Sequence, residues 1–184
     1  MSDKKSGKLN INKTTRIIAL LGILGAQALV LSVIENFIPA IPGLPPGAKP
    51  GFSNIVTMFT ATIMGFPGAF GITLIKSVFA GITRGVTAGL MSFCGGLLST
   101  IVMVLLLKLK KNPFGIMGIS IMSAVAHNIG QLIVACIISG TPALVTGYGP
   151  FLLLFAIITG AITGTILRIV MPALEKQSEF FIIN

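Results

Sequence analysis

The chain has no tryptophan, one tyrosine, one histidine and two cysteines among its 184 residues. Of its four acidic residues only Asp3 is an aspartate. Each scarcity excludes something. His127 stands alone, so a histidine-rich metal centre cannot be built. Cys94 and Cys136 lie far apart in apolar runs without a Cys-x-x-Cys pair. They make neither a zinc motif nor a disulfide framework and read as small packing residues. One aspartate cannot supply an aspartate-rich site for Mg²⁺ and diphosphate. No Gly-x-x-x-x-Gly-Lys-Ser/Thr loop occurs, so the chain has no phosphate cradle for ATP hydrolysis. Glu35 and His127 each lack the supporting partners of a Ser–His–carboxylate triad. No catalytic or metal-ligating residue is assigned, and the chain is read as a non-enzyme.

Charge is also scarce. Charged residues make up 9% of the chain, against roughly 25% in a soluble domain. Hydrophobic residues make up 54% and the mean hydropathy is +1.00. This excludes an ordinary cytosolic enzyme, and also a disordered chain, which needs low hydrophobicity. The solvent for most of the chain is the lipid bilayer. Thirteen Lys and Arg against four acids give +9, which in a soluble protein would suggest nucleic acid. Here most of the cations fall in tails and one short loop, so they read as topology signals holding those ends in the cytoplasm. No nucleic-acid partner is expected.

What is present are long apolar runs punctuated by breakers. Residues 1–14 form a basic tail with Lys4, Lys5, Lys8 and Lys13. The run Ile17–Ile34 resembles a signal core in following a basic start. It is longer than such a core, however, and meets Glu35-Asn36 rather than a small-residue cleavage pattern. It is read as the first retained helix, over 16–34. Pro39, Pro42, Pro45, Pro46 and Pro50 then exclude a helix and mark an ordered or semi-rigid loop of the kind that covers binding sites. The apolar stretch from Phe52 to Ile82 would be about 46 Å long as one helix, which overshoots a bilayer. Gly65-Phe66-Pro67-Gly68 breaks it into helices over 53–65 and 68–83. Further helices are predicted over 87–107, 115–139 and 150–171, with Gly140-Thr141-Pro142 and Gly147-Tyr148-Gly149-Pro150 in the last connection.

The fold class is therefore an all-α integral membrane protein with six transmembrane helices in one domain, 15–172, and a cytoplasmic tail, 173–184. With both termini inside, Lys4, Lys5, Lys8, Lys13, Arg16, Lys108, Lys110, Lys111, Arg168 and Lys176 are cytoplasmic, ten of the thirteen cations. Merging the second and third helices would put the Lys108–Lys111 cluster outside, against the positive-inside rule. The expected location is the cytoplasmic membrane.

Polar groups inside a bilayer are costly and so are functional suspects. His127 and Gln131 lie four apart on one helix face, with Asn128 adjacent. They read either as interhelical hydrogen-bonding groups or as a polar site wall. At the outer ends of the helices stand Glu35, Asn36, Lys49, Asn54 and Arg84, with Lys76 deeper. Lys76 either faces a cavity or snorkels to an interface. This set suits an anionic or polar small molecule arriving from outside. Gly22 with Ala26, and Ala28 with Ser32, are small-residue pairs on the first helix. Gly81, Gly85 and Gly89, and Gly160 with Gly164, repeat that spacing elsewhere. Such pairs let helix backbones approach closely, either within this chain or, on the first helix, against a partner subunit.

Several of these segments have a familiar look. Val30-Leu31-Ser32-Val33-Ile34-Glu35, the proline-rich loop, Lys49 and Asn54-Ile55-Val56-Thr57 resemble the Gx transporter family, also labelled heptaprenyl diphosphate synthase component I. Ala124-Val125-Ala126-His127-Asn128-Ile129-Gly130-Gln131-Leu132 is similar to the most specific motif of that family. The resemblance spans about residues 15–171. Family members read Leu-Gly-Leu-Ala-Asn after the lysine, where this chain has Pro50-Gly51-Phe52-Ser53-Asn54. The resemblance implies a fold like the substrate-binding S components of energy-coupling-factor (ECF) transporters, with a ligand site on the outer side. It also implies a transmembrane coupling (T) subunit and a cytoplasmic ATPase pair as partners, in a bacterial membrane. Flavin is the leading ligand on that resemblance, as transported cargo and not a covalent cofactor. The alternative is a non-catalytic membrane subunit linked to prenyl diphosphate and quinone synthesis.

Overall fold

Lipid offers no hydrogen-bond partner to the backbone, so apolar runs of membrane length close their bonds internally as helices. The computed structural model describes residues 13–37, 51–109 and 114–182. Five helices fill them: α1 (Lys13–Asn36), α2 (Ser53–Arg84), α3 (Val86–Leu107), α4 (Gly115–Ser139) and α5 (Ala143–Ile182). All five are long and apolar enough to cross a membrane. Met1–Asn12, the segment 38–50 with its prolines and Lys49, and Lys110 and Lys111 lie outside the described residues.

The break expected near residue 65 is present as a backbone event inside α2. Gly65 leaves the helix with φ 66° and ψ −155°. The two arms then fold back on each other. Lys76 Nζ lies 2.8 Å from Asn54 Oδ1, although the 22 residues between them would span about 33 Å of continuous helix. Near the bend, a Cβ on Gly68 would lie 3.0 Å from Thr60 Cγ2, eight residues back. Pro67 falls in the first turn of the second arm, where its missing N–H costs nothing.

The other boundaries differ from expectation only at α5. It starts at residue 143 and not near 150, and it runs through Pro172 to Ile182, where a tail was expected. Gly140, at φ 65°, ends α4 in a left-handed cap. Pro142 then starts the next helix, accepting a bond from Val145 N at 3.0 Å. Gly147, Gly149, Pro150 and Pro172 are turn signals in water. In a lipid-immersed helix they are tolerated, because leaving the helix would free more backbone groups than one proline removes.

Successive helices pack side by side, and α5 returns against α1 and α2 to close the bundle. The core holds Leu20, Leu24 and Ala28 of α1, Met58, Phe59 and Ile72 of α2, Met103 of α3, Ile119 of α4, and Leu167 and Met171 of α5. Hydroxyl pairs tie helices together within it: Thr73 to Thr100 at 3.0 Å and Ser120 to Thr163 at 2.9 Å. Gly160 permits a close α4–α5 contact, since a Cβ there would sit 2.6 Å from Ile121 Cα. Outward-facing positions such as Ile18, Val78, Leu105, Ile137 and Ile169 are apolar and exposed, as a lipid-facing surface requires.

Candidate functional site

The fold brings one end of the bundle together: the end of α1, the start of α2, the α2–α3 junction and the second half of α4. A chamber of about 290 Å³ opens there, lined by Ser32, Glu35, Gly51, Ser53, Asn54, Lys76, Arg84, Thr87, Ala88, Met91, Ser92, His127 and Gln131. Six of the nine residues singled out from sequence as ligand-binding line it: Glu35, Asn54, Lys76, Arg84, His127 and Gln131.

Glu35 is 4% exposed and accepts a hydrogen bond from Ser53 N at 2.9 Å. The carboxylate thus occupies the N-terminus of α2, where unpaired N–H groups and the helix dipole favour negative charge. One side chain both sets the entry of α2 and contributes negative charge to the chamber wall. Lys76 is buried and donates to Asn54 Oδ1 at 2.8 Å. Its ammonium therefore points into the chamber rather than out to an interface. Glu35 lies within Coulombic reach of both Lys76 and Arg84. Arg84 is carried to the rim by the end of α2, where Gly85 turns the chain at φ 94° into α3.

His127 and Gln131 are presented from α4 by their four-residue spacing. Close α3–α4 packing sets their depth: a Cβ on Gly130 would fall 2.8 Å from the Cys94 carbonyl oxygen. The Nδ1 atom of His127 is buried without a hydrogen-bond partner. Such an orphaned group in a polar wall is unusual and costly.

The other three stand differently. Lys49 lies outside the described residues. Asn36 is exposed and does not line the chamber. Asn128 is buried, but its Nδ2 donates to the Leu152 carbonyl at 3.0 Å, on α5. One residue is about 100° of helix rotation, and in this structure that turn carries Asn128 onto α5. Its role in this structure is the interhelical bond.

The small-residue pairs of α1 also divide. Gly22 and Ala26 are exposed, and nothing lies within 4 Å of a Cβ on Gly22. Ala28 and Ser32 are buried, and Ser32 lines the chamber, so neither is available to a partner subunit. Offset by six residues, the pairs point about 120° apart, and one of them had to face inward. Sequence reasoning also passed over Ser53, Thr87 and Ser92 as wall residues.

A second chamber of about 330 Å³ adjoins the first. Thr87, Met91 and Gln131 line both, and the remaining walls are Leu132, Ala135, Ile138, Ser139, Leu144, Tyr148 and Leu152. A shallower apolar depression of about 600 Å³ lies between α4 and α5, with Ile129, Ile133 and Ile137 on one side and Val145 and Leu153 on the other. Among the described residues no group of three His, Cys, Asp or Glu is placed to hold a metal ion.

Comparison with known proteins agrees with this architecture. The family described as "Heptaprenyl diphosphate synthase component I" matches over residues 24–170. No curated protein sequence matches. A solved structure described as "Structure and mechanism of the S component of a bacterial ECF transporter" superimposes with a TM-score of 0.70 at 20% sequence identity. The match covers 91% of this chain and 99% of that one, so the two share a fold.

Proposed function

Starting from the fact that this chain belongs to the heptaprenyl diphosphate synthase component I (Gx transporter) family, we propose that it is the membrane-embedded substrate-binding subunit of an ECF-type transporter. Its cargo is a small, vitamin-like or redox-related anionic molecule, with flavin the leading candidate. The observation that carries this reading is the polar chamber itself. Lys76, Arg84, Asn54, His127 and Gln131 converge on one space at one end of the bundle. Polar groups are expensive in a membrane and are retained where they meet a polar ligand.

The fold-back at Gly65 supports six crossings, because it divides a helix too long for one span into two arms of span-like length. Both termini then share one face. Arg16 at the start of α1, Lys108 just past the end of α3, and Arg168 and Lys176 in the second half of α5 then belong to the cytoplasmic end in this reading, with the chamber facing outward. The chain offers no nucleotide cradle, so energy must come from partners: a T subunit and a pair of ATPases. The exposed Gly22–Ala26 face of α1 is where the T subunit docks in this reading.

The test is gentle purification from the native membrane, with retained small molecules identified by absorbance and mass spectrometry, then titration of the stripped protein with riboflavin and riboflavin 5′-phosphate. A retained or titratable flavin is expected. Retention of a different anion would replace flavin as cargo. Absence of any retained or titratable small molecule would reject the binding-subunit reading.

A further inference from the structure

The polar chamber and the apolar chamber beside it are adjoining spaces. Thr87 and Met91, four apart on α3, and Gln131 on α4 line both. These three side chains mark the boundary, or neck, between the two spaces. Ligand pockets run to about 300–1,000 Å³. At about 290 Å³ and 330 Å³ each chamber alone stands at the bottom of that range; joined, they fall well inside it.

The two walls have opposite chemistry. The charged groups around the polar chamber are Glu35, Lys76 and Arg84, a surplus of one positive charge among the described residues. Glu35 is partly engaged by Ser53 N at 2.9 Å, and Lys76 is oriented by Asn54 at 2.8 Å. Beyond the neck the wall becomes Leu132, Ala135, Leu144, Tyr148 and Leu152, with no charged residue. Met91 suits the neck, because an unbranched thioether adapts to flat or chain-like apolar groups. Gln131 can give or accept a hydrogen bond at the boundary.

From this juxtaposition we infer that the cargo is a two-part molecule: an anionic head held near Lys76 and Arg84, and an apolar body that passes Met91 and Gln131 into the chamber between α3, α4 and α5. The inference rests on the polar chamber being the ligand site. It adds that a head group alone fills half of the site and binds weakly. Flavin phosphates have this two-part form, but the inference concerns the class and not that compound.

The experiment titrates the full chain in lipid nanodiscs with inorganic phosphate, phenyl phosphate, 1-naphthyl phosphate and riboflavin 5′-phosphate. Affinity should rise at least tenfold from inorganic phosphate to 1-naphthyl phosphate. Ala135→Phe fills the apolar chamber and should erase that rise while leaving inorganic phosphate unchanged, which also shows that the variant is folded. Tyr148→Ala removes part of the same wall and should reduce the rise at least threefold. Lys76→Met should weaken all four probes. A flat series, a rise that survives both Ala135→Phe and Tyr148→Ala, or no saturable binding by any of the four overturns the inference. If 1-naphthyl phosphate behaves as expected and riboflavin 5′-phosphate binds no better, the flavin assignment fails and the two-part class stands.

Discussion

At the scale of single residues, helix angle decides which polar side chains meet. His127 and Gln131 share a face and reach the chamber, while Asn128 is turned onto α5 and bonds Leu152 O at 3.0 Å. The pairing of His127 with Gln131 was legible from spacing alone. The destination of Asn128 was not, because spacing gives a direction around a helix and not the neighbour found there. With flavin as the proposed cargo, Gln131→Leu should therefore weaken riboflavin 5′-phosphate binding about tenfold, whereas Asn128→Leu should leave it within about twofold and lower stability by about 1 kcal/mol, the net worth of one buried bond. Parallel fluorescence titrations and thermal melts separate the two. Equal loss of binding in both variants would mean that Asn128 contributes to the site. Glu35 combines two roles that the sequence showed only as one. Removing its carboxylate leaves the Ser53 N–H at the start of α2 without that acceptor. Glu35→Ala should cost about 1–3 kcal/mol, a fall of roughly 2–12 °C in melting midpoint for a chain of this size. Glu35→Gln keeps an acceptor oxygen and should recover most of the loss. If Glu35→Ala melts with the wild type, the cap is not holding α2.

Among the elements, α2 shows how a sequence breaker becomes a turn. Gly65 sits at φ 66° and ψ −155°, a region essentially restricted to glycine. Nothing lies within 4 Å of a Cβ placed there, so a substitution is opposed by backbone conformation and not by crowding. Gly71, six residues on in the second arm, has equally open space without the positive φ. Gly65→Ala should therefore destabilise by about 1–3 kcal/mol, while Gly71→Ala should be neutral or stabilising by up to about 1 kcal/mol. Chemical or thermal unfolding of the two single variants checks the contrast, and similar curves would mean that the bend tolerates an ordinary residue. The bend and the ends of α3 and α4 were legible because glycine and proline coincide there with the limits of apolar runs. The start and end of α5 were not. Gly147, Gly149, Pro150 and Pro172 carry the chemistry of turns, yet the same residues remain helical where lipid raises the cost of every freed backbone group.

For the whole molecule, what remains exposed once the bundle has closed is as informative as what it buries. Ala28 and Ser32 are consumed by the core and the chamber. Gly22 and Ala26 remain on the outside of α1, and the space over Gly22 is empty to 4 Å. Small residues four apart on a lipid-facing surface let another helix come close, and in the proposed function that helix belongs to the T subunit. Gly22→Leu combined with Ala26→Leu adds bulk only on that outer face, so internal packing and the chamber keep their shapes. Overpacking a tight contact costs roughly 1–3 kcal/mol, and about 1.4 kcal/mol is tenfold in affinity. Co-purification with the T subunit should fall about tenfold or more, while binding of riboflavin 5′-phosphate by the isolated variant stays at the wild-type level. Ala28→Leu should do the reverse: Ala28 is fully buried, so this change lowers the melting midpoint before it affects docking. Were the double variant to co-purify undiminished, the docking face would have to lie on another helix. Were the isolated chain to accumulate flavin in vesicles without ATP, the dependence on ATPase partners would be wrong altogether.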